Sequence, residues 1–220
     1  MRVERRFSLI VFDWDGTLID SAGTITDCIQ EAAREMGLPV PDRETASHVI
    51  GLGLNDSLRR AVPTLPSEKY IDFVERYRKH FFAREDSMQL FPGVRELLSR
   101  LNERGHRLAV ATGKSRPGLE RALGASGLGR HFAATRCGDE TNPKPHPAML
   151  LELMRELEIE PAFSLMIGDT SHDLEMAKSA GVAAIGVTYG AHPEQALRAL
   201  DPLECVSSVG ELTLWLENNA

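Results

Sequence analysis

The stretch LIVFDWDGTLIDS, Leu9 to Ser21, closes an apolar run with two aspartates one residue apart, Asp13 and Asp15, followed by Gly16 and Thr17. Similar placements recur further along. Thr112, Gly113 and Lys114 follow RLAVA, and Gly168, Asp169 and Thr170 follow FSLMI, with Asp173 four positions beyond Asp169. Lys144 stands between prolines in NPKPHP. Carboxylates that converge near one point repel one another unless a cation joins them. Their natural partner is a hard divalent ion with oxygen ligands, and Mg²⁺ keeps a few carboxylates, several waters and usually a substrate phosphate. Thr17, Thr112 and the backbone N–H groups around Gly16 and Gly113 would donate to phosphate oxygens, while Lys144 neutralises charge.

Taken singly, each residue has a plainer reading. A DxD after a strand is most often a solvated turn, Thr112 a strand-end hydroxyl bonded to backbone, and Lys144 a surface lysine. Asp173 would suit a helix N-terminus, where the dipole favours a carboxylate. His146, His172 and His192 read as loop or helix-start residues, and Trp14, pointing away from its flanking aspartates along an extended strand, as a packing residue. The four signals differ jointly: each falls, in order, at an expected strand end or just before a helix.

Those strand ends presuppose an architecture. FSLIVF, Phe7 to Phe12, is the continuous apolar run of a strand covered on both faces. From Ser21 to Met88 the pattern is helical, with Ile25, Cys28, Ile29, Ala32, Ala33 and Met36 at three- and four-residue steps, and likewise Tyr70, Phe73, Val74, Tyr77 and Phe81. GLPVPD, GLGLND and VPTLPS break that segment into separate helices. After FPG the β/α rhythm resumes: a helix through Val94 to Leu101, RLAVAT, a helix near Pro117 to Ala125, a short strand near Phe132 to Thr135, and a helix near His146 to Leu157. FSLMIG, a helix near Leu174 to Ala180, AAIGV and a helix near Val209 to Leu216 complete it. Strands alternating with helices predict right-handed crossovers and a doubly wound parallel sheet, an α/β core whose ligands bind beyond the carboxyl ends of the strands. The helical block between the first and second strands reads as an inserted cap. This assigns residues 1–20 and 89–220 to the core and 21–88 to the cap.

Composition limits the function. At 220 residues and 42% hydrophobic the chain can bury a substantial core. A net charge of −7 disfavours nucleic acid as a partner, since backbone affinity rests on clustered Lys and Arg. Cys28, Cys137 and Cys205 have no CxxC spacing and read as reduced. The basic opening MRVERR resembles the start of a signal peptide, but Asp13 interrupts the apolar run early. With no apolar run of about 18 residues, no membrane partner is expected and the cytoplasm is the expected compartment.

The motifs together resemble the haloacid dehalogenase-like superfamily of phosphohydrolases: DWDGT its first motif, ATGKS its second through Thr112, PKPHP its third through Lys144, and GDTSHD its fourth. The match spans nearly the whole chain, and IGLGLNDSL and AAIGVTYG resemble its phosphoglycolate phosphatase-like branch. The resemblance implies that Asp13 attacks phosphorus to form an aspartyl-phosphate and that Asp15 protonates the leaving oxygen and then activates water. It also implies that Mg²⁺ is held by Asp13, the backbone carbonyl of Asp15, and Asp169, with Asp173 supporting those ligands. Dehalogenases of the superfamily typically lack an aspartate at the place of Asp15, so its presence favours phosphoryl transfer. A small phosphorylated metabolite, phosphoglycolate-like or a sugar phosphate, is the expected substrate. The alternatives are a sugar-phosphate mutase or pyrophosphatase on the same scaffold, or a non-catalytic phospho-metabolite binder, which would have no need of a nucleophile. Lys69 and Lys79 read as solvated. Selectivity is expected from the cap loop IGLGLNDSLRR, through Asn55 and through Arg59 or Arg60.

Overall fold

The structure is a computed structural model that describes residues 6–220. The first five residues, which carry most of the basic opening, lie outside the described residues. Among the described residues six strands form one parallel sheet: β1 (Leu9–Phe12), β2 (Arg107–Thr112), β3 (Ala134–Cys137), β4 (Ser164–Gly168), β5 (Ala183–Val187) and β6 (Glu204–Val206). Their order is β3-β2-β1-β4-β5-β6. Every pair is parallel, with Val11 level with Ala109 on one side and Met166 on the other.

Both faces of this sheet are covered, which is why its strands are apolar throughout. Ile10 and Phe12 of β1 join Leu108 and Val110 of β2 and Leu165 and Ile167 of β4 in one cluster. That cluster is closed by α5 (Val94–Glu103), α6 (Arg116–Ser126) and α10 (Val209–Asn219) through Leu98, Leu119 and Leu212. Leu9, Val11, Ala109, Ala111 and Met166 face the other way, against Leu150 and Leu153 of α7 (Ala148–Glu156) and Met176 of α8 (Ser171–Ser179). Alternation along a strand thus divides one hydrophobic run between two layers. Trp14 continues the face of Phe12 and is fully buried, edge-on to Phe132.

The segment between β1 and β2 contains α1 (Ala22–Glu35), α2 (Arg43–His48), α3 (Leu54–Ala61) and α4 (Tyr70–Phe82). These helices bury a third cluster that includes Cys28, Ile29, Leu58, Phe73 and Phe81. The chain leaves the sheet and returns to it side by side: Ile19 and Leu90 form an antiparallel bridge, and Asp20 N–H donates to the Gln89 carbonyl at 2.9 Å.

Two short elements escaped the sequence pattern, α9 (Glu194–Arg198) and β6. Three residues at a sheet edge and five in a helix are too few to display a period. The third strand also begins two residues later than its β-rich composition suggested, because Gly129–His131 forms a tight helical turn that delays it. No helix among the described residues is long and apolar enough to cross a membrane.

Candidate active site

The strand order reverses between β1 and its neighbours β2 and β4, so the loops leaving these three strands diverge and open a crevice at their carboxyl ends. Asp13 leaves β1, Thr112 ends β2 and Asp169 follows β4. All three are buried, with at most 1% of their surface exposed. Oxygens of Asp13, Asp169 and Asp173 lie within 4.8 Å of one another. Lys144, from the loop before α7, drives its ammonium into this group, 2.7 Å from Asp13 Oδ1 and 2.6 Å from Asp173 Oδ1.

One ammonium does not balance three carboxylates. Burial, reinforced by Asp173 and Asp169, holds the Asp13 carboxyl well above the usual carboxylate range even though Lys144 pulls it down. Burial and then the Asp173 charge push Asp169 up to about 7. Burial alone would lower the Lys144 ammonium, but the Asp13 and Asp173 charges outweigh it and hold it above the ordinary lysine range. The remaining deficit is geometric as well as electrostatic, since Asp13 Oδ2 is buried and has no hydrogen-bond donor among the described residues. A buried carboxylate oxygen without a donor, beside two further carboxylates, fits a hard divalent cation.

The other carboxylates differ in how freely they can serve such an ion. Asp169 is held from both sides, its Oδ1 accepting from the Thr17 hydroxyl at 2.8 Å and its Oδ2 from Ala191 N–H at 2.7 Å. It is also boxed in by glycines, because a Cβ on Gly16 or on Gly190 would come within 2.2 Å of Asp169 Oδ2. Gly16 adopts φ +80°, a conformation glycine reaches without strain. Asp173 is already committed: Oδ2 accepts from Thr170 N–H at 3.1 Å and from its hydroxyl at 2.6 Å, completing the capping box of α8, while Oδ1 faces Lys144. It therefore sits as a supporting partner of Lys144 more than as a free ligand.

Asp15 occupies the cavity side of the same loop. Its Oδ1 accepts from the Ser21 hydroxyl at 2.8 Å, and Lys114 Nζ lies 3.1 Å from its Oδ2. Thr112 Oγ1 accepts from Lys114 N–H at 3.2 Å, and the Lys114 ammonium sits over the Phe81 ring at 4.7 Å. Gly113 lets the helical segment approach: a Cβ there would stand 2.3 Å from the Leu52 carbonyl oxygen.

Several expected roles are corrected by this geometry. The Thr17 hydroxyl is spent on Asp169 instead of facing phosphate, and Gly16 N–H donates to the Ile19 carbonyl at 2.9 Å because the turn after β1 needs it. Asn55 and Arg59 do not line the cavity. The helical period turns Leu54, Ser57 and Leu58 of α3 inward and leaves Asn55 and Arg59 exposed, where Tyr70 donates to Asn55 and Arg59 lies over the Tyr70 ring. The cavity, about 120 Å³, reaches from Asp13, Asp15 and Thr112 to α3 and α4, with Arg78 at its rim.

The sequence reading missed Ser21, whose only signal was a hydroxyl beside the helix start. It also missed the histidine contact between the helical segment and the core. His172 and His192 both donate to the backbone carbonyl of His48, at 2.9 and 3.1 Å, and His192 Nδ1 accepts from Ser171 N–H. His48 lies far from the other two in sequence, so spacing offered no clue.

Comparison with known proteins identifies the family. The family model described as haloacid dehalogenase-like hydrolase matches residues 10–187. A curated relative, "Probable phosphatase IndB" of Dickeya dadantii (strain 3937), is 38% identical over 212 residues, covering 93% of this chain and 91% of the relative. The phosphoglycolate phosphatase of Yersinia pestis is 32% identical over 203 residues, with 90% and 87% covered. A crystal structure of a predicted phosphoglycolate phosphatase from Haemophilus somnus 129PT superposes with a TM-score of 0.85 at 27% identity, covering 96% of this chain and 98% of that one.

Proposed function

Because the chain belongs to the haloacid dehalogenase-like hydrolases, we propose that it is a Mg²⁺-dependent phosphatase of a small phosphorylated metabolite, working through an aspartyl-phosphate on Asp13. The observation that carries this reading is Asp13 itself: a buried carboxylate with one oxygen held by Lys144 and the other, Oδ2, without a donor at the end of a substrate-sized cavity. A pure binding protein would have no need of a nucleophile at that position.

In the proposed reaction Asp13 attacks phosphorus and the P–O bond to the alcohol breaks. Asp15 gives its proton to the departing oxygen, then takes one from the water that hydrolyses the aspartyl-phosphate, releasing inorganic phosphate and restoring both carboxyl groups. Lys144 fixes the orientation of Asp13, while Thr112 and the N–H of Gly113 donate to phosphate oxygens. Ser21 and Lys114 hold Asp15 at the cavity. Asp13, Asp169 and the backbone carbonyl of Asp15 would hold Mg²⁺, with Asp173 in support through Lys144; when bound the ion supplies positive charge for the phosphoryl oxygens. Residues 21–88 act as a cap, a reading supported by their separate hydrophobic cluster and by the paired connections at Ile19 and Leu90. The free cysteines and the absence of a spanning helix among the described residues are consistent with a cytoplasmic compartment.

The test is phosphate release from a panel of phosphate monoesters, with Mg²⁺ and after chelation. Release that requires Mg²⁺ and disappears in Asp13→Asn is expected; metal-independent release would sink the Mg²⁺ assignment. An isomerised sugar phosphate without free phosphate would assign a mutase instead.

A further inference from the structure

Resting on the phosphatase reading, we infer that the alcohol released from the substrate is a compact, uncharged and mainly apolar group, neither the carboxylate of phosphoglycolate nor the polyol of a sugar. The cavity is polar mainly where the phosphoryl chemistry would occur, the further polar residues of its lining being Ser57, Tyr77, Arg78, Ser115 and Arg121. Across from Asp13 and Asp15 its wall is hydrocarbon: Ile29 of α1, Ile50 and Leu52 of the loop before α3, Leu54 and Leu58 of α3, and Phe81 of α4.

A charged alcohol would need a cation there that is not already engaged. Lys114 is paired with Asp15 and lies over Phe81. Arg121 lies over Phe82, 4.5 Å from its ring centre, with Glu85 at 3.5 Å. Arg78 stands at the solvent-exposed rim. A carboxylate placed against the Leu54–Leu58 wall would therefore lose its water without gaining a counter-charge.

A sugar would need several hydrogen-bond partners. The Ser57 hydroxyl already donates to the Val49 carbonyl at 2.8 Å, which leaves the Tyr77 hydroxyl as the polar atom of the cap wall with no partner among the described residues. One such group serves a single substrate oxygen, and each further buried hydroxyl without a partner weakens binding by roughly tenfold. An apolar body loses nothing on entering and covers the same wall.

The test uses the Mg²⁺-loaded, full-length enzyme on four primary alkyl esters, so that leaving-group chemistry is matched: isobutyl phosphate, phosphoglycolate, glycerol 1-phosphate and glucose 6-phosphate. The expected result is a kcat/KM for isobutyl phosphate at least about tenfold above the other three. Leu54→Asn should shrink that preference about fivefold or more, chiefly by raising KM for isobutyl phosphate. Leu54→Gln serves as the second variant if the first does not fold, and the wild-type ranking needs neither. Phosphate released from all four with phosphoglycolate or a sugar phosphate preferred would overturn this inference and leave the phosphatase reading standing. A preference for phosphoglycolate that vanishes in Arg78→Ala would overturn it too, by placing a distal anion at the rim. No phosphate from any of the four, nor from 4-nitrophenyl phosphate, would bring down both.

Discussion

The strand ends and the helical wall that faces them enclose one cavity with opposite chemistry. At the strand ends nearly every polar atom is held: Asp169 by Thr17 and Ala191, Asp173 by Thr170 and Lys144, Asp15 by Ser21 and Lys114. Asp13 Oδ2, left over, marks the place for an added cation. The opposing wall consists mostly of apolar side chains from four separate segments, with Ser57 and Tyr77 among them. Charged groups packed this closely must be fixed by specific partners, because an unpaired buried charge is costly. A hydrocarbon wall demands only volume and shape, so many sequences would build it. On the proposed function, chemistry would reside at the strand ends and discrimination in a surface that can vary without disturbing them.

The comparison is broken most directly at Asp13. Asp13→Asn should lower phosphate release by about a thousandfold or more while leaving the fold intact; turnover near that of the wild type in a folded variant would remove Asp13 from the chemistry. Lys144→Met comes next, since it strands Asp13 and Asp173 as uncompensated buried charges. A loss of about 3–5 kcal/mol in urea-unfolding stability is expected, together with lost activity. Asp169→Ala should weaken Mg²⁺ affinity by about 10- to 100-fold, measured as the Mg²⁺ concentration that restores half-maximal activity after chelation.

The joint between the regions gives a pH-dependent effect. His192 is buried, and burial, then His172 and His48, push its pKa down to about 4. Unfolded, it titrates near pH 6.5, so the unfolded chain binds the proton first. The stability from this group is complete above about pH 6.5 and is lost as pH falls toward about 4, at roughly 1.4 kcal/mol per unit. Urea midpoints at pH 7 and pH 5 should therefore converge in His192→Gln relative to wild type; an unchanged gap would exclude His192 as the source. The smallest effect is expected outside the wall. Asn55→Ala and Arg59→Ala should change kcat/KM by no more than about twofold on any ester, as exposed residues do. A tenfold loss in either would mean that α3 turns its outer face to the substrate.

The α/β alternation and the four motifs were legible because each obeys a local rule. An apolar run of strand length must be covered on both faces, and a carboxylate at its end has to face the crevice. Asp13, Thr112, Lys144 and Asp169 could be named before any coordinates because together they fall, in order, at expected strand ends or just before a helix. β6 was illegible because Glu204–Val206 is too short to carry a period and gains its partner β5 only in the folded sheet.

By itself the sequence determined which side chains are candidates for the proposed chemistry and the order of elements that carries them, since residue type and the periods of strand and helix are properties of the chain alone. The tertiary structure alone decided how those side chains divide their work. It spent the Thr17 hydroxyl on Asp169, gave Asp173 to Lys144, and brought Ser21 to Asp15. It also turned Leu54 and Leu58 toward the cavity and Asn55 and Arg59 away from it. Apart from the Ser21–Asp15 contact, which the turn after β1 makes across six residues, each outcome depends on the rotation of a helix or the meeting of residues distant in the chain, which is set by how whole elements pack.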